Sequence, residues 1–263
     1  MDDILVLPSD QRAAAALNGA LEPPYRVGSV AGIEDLVASI KMREPQACIL
    51  DIFDPPPPIP LSSLGSLKRN HPNVALVIAS DFSEREMDLY HLGRLSVDGV
   101  IRMENRPNAR DVLAVVDRAI AASLATRVIR ESAVRISPLG QEAIRWAIEH
   151  AEHTPQASDL AAAMAMSPRS FMREMKAVGL GSPRALLLWG RLIRASHLLE
   201  RSAETVESVA FKLGYSSGGA LGKALKRHVG CSPTELLDQG GVMRTMEVLG
   251  RTITHVETEP SRH

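Results

Sequence analysis

Only two cysteines, Cys48 and Cys231, occur in 263 residues, and they stand far apart. Two isolated thiols build neither a disulfide framework nor a zinc site, so a reducing compartment, the cytoplasm, is expected. Cys48 lies in an apolar run and reads as a buried thiol. Long apolar stretches are missing as well: none reaches the roughly 18 residues of a membrane-spanning helix. The opening MDDILVLPSD is acidic, and its apolar run is too short for a signal peptide. Net charge is almost absent, −1 from 30 basic and 31 acidic residues, which excludes a strongly basic nucleic-acid binder. No Ser/His/Asp, Cys/His, metal-ligand or P-loop spacing appears. The chain is therefore not expected to be an enzyme, and no cofactor or metal is expected.

The length allows about two domains, and the charge is unevenly placed between them. Residues 1–136 hold 15 Lys+Arg against 18 Asp+Glu, whereas residues 137–240 hold 12 against 10. Any contact with nucleic acid must rest on local placement of basic side chains.

The first half alternates short apolar runs with helical patterns. Ile4–Leu7, Tyr25–Val30, Ala47–Leu50, Val74–Ala79 and Val100–Met103 read as strands. Gln11–Leu21, Ile33–Arg43, Leu61–Arg69, Ser83–Leu95 and Asn108 to about Arg130 read as helices. Ser83 with Glu86 has the spacing of a capping box, and Asn108 is a plausible cap. Five such units imply an α/β fold, a (βα)5 parallel sheet covered on both faces, with ligands expected at the carboxyl edge of the strands. Asp51 follows the third strand and Ser80 the fourth.

The segments PQACILD ending at Asp51, PNVALVIAS ending at Ser80 and VDGVIRM ending at Met103 resemble the receiver domain of two-component response regulators. The resemblance covers roughly the first 120 residues and implies Asp51 as a possible phosphoacceptor. Two departures bear on the chemistry. Where receivers place an acidic pair after the first strand to hold Mg²⁺, this chain has Pro8-Ser9, with only Asp10 acidic. Met103 stands where a lysine contacts the phosphoryl group. Magnesium needs carboxylate ligands, and a developing phosphoryl charge needs a cation. A receiver fold kept as a rigid interaction module is the main expectation. Phosphorylation at Asp51, through a rearranged site using Asp10 and Asp54, is the alternative. The DPPPPIP loop behind Asp51 is expected to be stiff. The last helix has more apolar surface than one sheet-facing stripe needs, which fits either a dimer face or an amphipathic helix running into a linker.

A linker at 131–140 separates this domain, 1–130, from a second at 141–240; a tail, 241–263, is read as helical over Val242–Leu249 with a disordered polar end. Gln141–His153 is an amphipathic helix. His150 and His153 at its end fit the helix dipole better than a metal. The next stretch is one pattern written twice: SDLAAAMAMSPRSFMREMKAVGLGSP and ESVAFKLGYSSGGALGKALKRHVGCSP. Each is a short helix, a break, a basic second helix and a Gly…Ser-Pro turn, the shape of a helix-turn-helix. Ser158 and Ser167 are the caps expected in the first copy, Thr205 and Ser216 or Ser217 in the second. Arg169, Ser170, Met172 and Arg173 are placed to face bases in a major groove, with Lys176 toward phosphate. In the second copy Gly219 and Gly222 fall where Arg169 and Met172 stood, leaving Lys223, Lys226 and Arg227 as phosphate partners. The helix between the copies, Pro183–Ser202, has about 19 helical residues and spans about 28 Å. Ser232 and Glu235 form a capping box for a closing helix.

Residues 141–238 resemble the AraC-type DNA-binding domain, two helix-turn-helices joined by a long helix. The matches include Leu160-Ala161, Ser167-x-Arg169-x-Phe171-x-Arg173, Gly181-Ser182-Pro183, Arg191-Leu192, Val209-Ala210, Leu213-Gly214-Tyr215 and Lys226-Arg227. Gly219, Leu221, Leu225 and Met175 depart from the family's usual serine and aromatics. The resemblance implies a transcriptional regulator that binds double-stranded DNA, expected as a homodimer, with RNA polymerase as a possible partner and no membrane. A phosphorylation-switched response regulator and a protein-interaction module that does not bind DNA are the rival readings.

Overall fold

The computed structural model describes residues 3–53, 58–95, 97–132, 136–200 and 204–257, with backbone alone from 252 to 257. Asp54 and most of the polyproline loop, the residues 133–135 of the expected linker and the polar end from 258 lie outside the described residues. Contacts divide the chain into two units, Met1–Leu124 and Ala125–His263.

The first unit is a five-stranded, all-parallel sheet. Its strands are β1 Ile4–Leu7, β2 Val27–Ser29, β3 Ala47–Leu50, β4 Ala75–Ser80 and β5 Gly99–Arg102, in the order β2-β1-β3-β4-β5. This is the flavodoxin-like doubly wound order. Alternation along each strand sends its residues to opposite faces. Ile4, Val6, Ala47, Ile49, Ala75 and Val77 meet helices α1 (Gln11–Leu21) and α5 (Ala109–Glu131) through Leu17, Leu21, Val112, Val116 and Ile120. Leu5, Leu7, Cys48, Leu50, Leu76 and Ile78 meet α2 (Ile33–Arg43), α3 (Leu61–Asn70) and α4 (Glu86–Arg94) through Leu36, Ile40, Leu64, Leu67 and Leu92. Full burial of a Leu or Ile side chain is worth about 1.5–3 kcal/mol, so the two clusters account for most of this unit's cohesion. Burial pushes the Cys48 thiol up to about 12, as its position in β3 requires.

Helix α4 begins three residues later than its pattern implied. Asp81 Oδ1 accepts the Ser83 amide at 2.8 Å, and Glu84 takes a positive φ of 62°. That turn occupies the residues expected to form the capping box, and α4 has no side-chain cap. Asn108 does cap α5: its Oδ1 accepts the Asp111 amide at 3.0 Å. Helix α5 continues past Leu124, so the division between the units falls within one helix.

The second unit is all-helical. It comprises α6 Pro138–Glu149, α7 Ala157–Ala163, α8 Pro168–Ala177, α9 Pro183–Leu199, α10 Val206–Lys212, α11 Gly218–His228, α12 Pro233–Asp238 and α13 Gly241–Glu257. Helix α6 starts earlier than its apolar pattern because Ser137 caps it through the Gly140 amide at 3.1 Å. It ends at Glu149, and a 3-10 turn, Ala151–His153, follows. His150 stacks on Trp146 with ring centroids 4.3 Å apart. Among the described residues no cluster of His, Cys, Asp or Glu has the geometry of a metal site. Leu186, Leu187, Trp189, Leu192, Ile193, Leu198 and Leu199 of α9 are all buried. The same helix carries Arg194, whose side chain is 3 % exposed and whose Nε and Nη2 donate to Glu152 Oε1 at 3.1 and 2.9 Å. The tail extends the helix expected over Val242–Leu249 to Gly241–Glu257 and packs on α9. Ser196 Oγ and Thr245 Oγ1 lie 2.7 Å apart there, and the Val242 amide donates to Glu200 Oε1 at 2.7 Å. No helix among the described residues is long and apolar enough to cross a membrane.

Candidate nucleic-acid interface

Each sequence copy folds as a helix, a tight turn and a second helix. The turn is fixed by the same backbone bond in both: the Met166 amide donates to Ala161 O, and the Tyr215 amide to Ala210 O, each at 2.9 Å. Both turns pass through the left-handed region. Gly214 does so at φ 73°, which glycine adopts freely, whereas Ala165 does so at φ 54°. The second turn is one residue longer: four residues separate α7 from α8, and five separate α10 from α11. The extra residue is Ser216, so Ser217 is the cap of α11, accepting the Ala220 amide at 3.1 Å.

Ser167 caps α8, accepting the Ser170 amide at 3.2 Å, and Pro168 occupies the first helical position. The first helix of this copy is capped by Gln156 and Asp159, not by Ser158, which lies inside α7. Phe171 and Met175 of α8 are fully buried. That fixes the rotation of the helix and turns Arg169, Met172, Arg173 and Lys176 outward; Met172 is 56 % exposed and the Arg173 side chain 76 %. The structure thus brings four of the predicted residues onto one solvent-facing stripe. Ser170 is half-buried, and its hydroxyl lies 3.0 Å from that of Ser167, so it serves the cap.

The corresponding stripe of α11 is different. Counted from the caps, Gly219 takes the place of Arg169 and Gly222 that of Met172. Lys223, Lys226 and Arg227 are exposed, and Lys226 reaches Glu235 at 3.3 Å. That pairing belongs to the Ser232–Glu235 capping box of α12. The Ser232 amide donates to Glu235 at 2.7 Å, and this bond, with the Ser232 hydroxyl and Lys226, lowers the carboxyl from its ordinary 4.5 to about 2. One participant was not visible in the pattern. Glu207 Oε2 accepts the Gly218 amide at 2.7 Å, placing a carboxylate at the start of α11. A Cβ at position 218 would stand 2.6 Å from that oxygen, so a larger residue there would push the Glu207 carboxylate off the amide. Gly219 and Gly222 are not so constrained: their nearest neighbours would be 3.7 Å away. An acidic residue in the first turn of α10, eleven positions before the glycine, was the available signal.

Helix α9, shared by both motifs, has 17 residues and a length of about 26 Å. This is slightly shorter than expected; Glu200 ends it, and 201–203, including Ser202, lie outside the described residues.

In the first unit, Asp51 sits at the carboxyl end of β3 as expected. Its Oδ1 accepts the Ser80 hydroxyl at 2.7 Å and the Phe53 amide at 3.1 Å, while Ser80 Oγ accepts the Ile52 amide at 3.0 Å. Asp10, the single acidic residue after β1, is the cap of α1 and accepts the Ala13 amide at 2.7 Å. The Met103 side chain packs against the α1/α5 core cluster.

Residues 160–239 match the model of a helix-turn-helix domain. The transcriptional activator RhaS of Citrobacter koseri is 25 % identical over 142 residues, 52 % of this chain and 51 % of that protein. RhaS of Klebsiella pneumoniae matches to the same extent. The chain spans about half the length of the curated relatives it matches. Among solved structures, the DNA-binding domain of AdpA in complex with a target DNA is 33 % identical over 39 % of this chain and 92 % of that one, with a TM-score of 0.34. NtrX of Brucella abortus in complex with ADP is 21 % identical over 65 % of this chain and 41 % of that one, with a TM-score of 0.44. The second unit carries a helix-turn-helix domain of the AraC type, and the first has a receiver-like fold.

Proposed function

We propose that this protein is a sequence-specific DNA-binding transcriptional regulator whose receiver-like unit works without the standard phosphorylation reaction. The observation that carries the reading is the stripe of α8. Two buried residues, Phe171 and Met175, fix a helix whose opposite side offers Arg169, Met172 and Arg173 to solvent. Arginine is suited to guanine O6 and N7, and an apolar side chain to a thymine methyl. The second recognition helix offers glycines and lysines, which suit phosphate more than base edges. The first motif is therefore assigned the reading of sequence and the second the anchoring of the backbone.

The receiver-like unit is assigned partner binding or dimerisation. Met103 supplies no cation, and Asp10 is engaged as a helix cap. Asp51 keeps the position of a phosphoacceptor beside Ser80. Intact mass after incubation with acetyl phosphate and Mg²⁺ separates the two readings. An unchanged mass, and an Asp51→Ala protein with unchanged DNA binding, are expected; a gain of one phosphoryl group would establish the phosphorylation switch instead.

Footprinting of genomic DNA, followed by titration of the recovered site across salt concentrations, tests the DNA assignment. Affinity should fall steeply with salt. Arg173→Ala should lose about 1–3 kcal/mol and relax preference at one base position, whereas Lys223→Ala should weaken all sequences alike and flatten the salt slope by about one. Binding that ignores salt and both substitutions would point to an interaction module that does not use DNA. Sedimentation at working concentration should give a homodimer; a monomer on and off DNA would remove that part of the proposal.

A further inference from the structure

The second unit contains a cavity of about 360 Å³ that the DNA-binding reading leaves unused. It is bounded by the last turn of α5, by α6 and by α13. Its wall is apolar: Val128, Ile136, Ile144, Met243, Met246 and Leu249. Of these only Met243, at the mouth, is exposed; the other five are buried. The volume lies in the range of small-molecule sites, about 300–1,000 Å³, which are characteristically apolar with a few placed polar groups.

One polar atom does lie in this wall. Ser132 lines the cavity, and its hydroxyl oxygen is buried without a hydrogen-bond partner. A buried hydroxyl is ordinarily bonded, so this one is an orphan within the cavity wall. The charged residues of the wall are already compensated. Glu131 accepts from Arg127 and Arg130 at 3.4 Å each, and Glu247 accepts from Arg244 at 3.0 Å and also from Arg251. Each of these side chains is already held in an ion pair, and burying a charged ligand among methionines and leucines would be costly.

We propose that this cavity is a binding site for a small, neutral, largely apolar molecule carrying one hydrogen-bonding group, which Ser132 receives. The inference does not depend on the DNA-binding reading. The site is defined by binding to the full chain without DNA, so either reading can fail alone.

The neutral fluorophore N-phenyl-1-naphthylamine, an apolar molecule with a single N–H, is a suitable probe. Titrated into the full-length protein, it should show a saturable, one-to-one rise in emission. Gly250 lines the cavity, and a Cβ added there meets nothing within 4 Å. Gly250→Leu therefore adds a side chain at the cavity wall whose Cβ starts in open space, and it favours helix α13. It should cut probe affinity at least tenfold with no loss of melting temperature. Ser132→Ala removes only the hydroxyl and should weaken the probe about two- to tenfold, the equivalent of one hydrogen bond. Absence of saturable emission in the unmodified protein would overturn the proposal. So would undiminished binding by a folded Gly250→Leu protein. If that variant does not fold, Ser132→Ala decides alone: unchanged affinity rejects the site.

Discussion

Gly219 and Gly222 weaken α11 without any steric reason to be there, and this can be measured. Neither has a positive φ, and a Cβ at either position would have its nearest neighbour at 3.7 Å, Ser217 Oγ in one case and Pro233 in the other. Alanine should therefore fit both sites with the backbone unchanged. Glycine inside a helix costs about 1 kcal/mol relative to alanine. Gly222 is mid-helix and should return that full amount. Gly219 is in the first turn and should return about half of it, the lower end of the range. The double variant should gain about 1.5 kcal/mol. For a unit of this size a melting shift of about 3–5 °C per kcal/mol applies, which predicts a rise of about 5–7 °C. Both tryptophans, Trp146 and Trp189, lie in the second unit, so their fluorescence follows its unfolding within the full chain. Gly218→Ala is the internal control. Its Cβ would stand 2.6 Å from Glu207 Oε2 and would push the carboxylate off the Gly218 amide. The lost hydrogen bond, about 1 kcal/mol, should cancel or exceed the helix gain. A double variant that melts no higher than the unmodified protein would refute the reasoning, as would a Gly218→Ala protein that is stabilised as much.

Two further predictions concern stability. Arg194→Ala should destabilise the second unit by about 3 kcal/mol, the low end for breaking a buried pair, because Glu152 retains partial access to water. Arg194→Met should cost less, and urea unfolding followed by tryptophan emission compares them; equal losses would mean that the ion pair, absent from both variants, and not packing of the side-chain stem, holds the site. Glu235 contributes through a carboxyl lowered from 4.5 to about 2, chiefly by the Ser232 amide, then the Ser232 hydroxyl and Lys226. A lowered folded-state value gives stability that is present above pH 4.5 and lost as the pH falls toward 2. Glu235→Gln should flatten that part of the acid-unfolding curve, and an unaltered acid limb would contradict the assignment.

Much of the fold was legible because the relevant signals are local. Strands β1 and β3 are continuous apolar runs bounded by breakers, and the caps Ser167, Thr205, Ser217 and Ser232 each stand directly before their helices, bonding the amide three residues on. The discrepancies arose where a competing local interaction won. Ser83 with Glu86 has capping-box spacing, but the Asx turn at Asp81 takes the backbone first. Ser158 is a good cap in isolation, but Gln156 with Asp159 starts the helix earlier. The site was legible in part for the same reason. The helical period fixes which side of α8 carries Arg169, Met172 and Arg173 once Phe171 and Met175 are assigned to the core. Glu207 was not legible as a partner of Gly218, because the bond joins two helices across a turn whose length differs from that of its sister copy. The cavity beside Ser132 was hidden too, since its walls come from segments more than a hundred residues apart.

The carboxylate of Glu207 at the start of α11 has a consequence for polarity along DNA. The start of a helix ordinarily welcomes a phosphate, and the start of α8 bears two hydroxyls and Arg169 but no carboxylate. The start of α11 already holds an anion. The two ends of the domain would then meet a nucleic-acid strand on unequal terms, and turning the domain end for end on the same site would exchange an arginine-bearing helix for one headed by an acid. Such a domain would distinguish forward from reverse placement. Two copies on direct repeats and two on inverted repeats would be different assemblies, not alternative spacings of one.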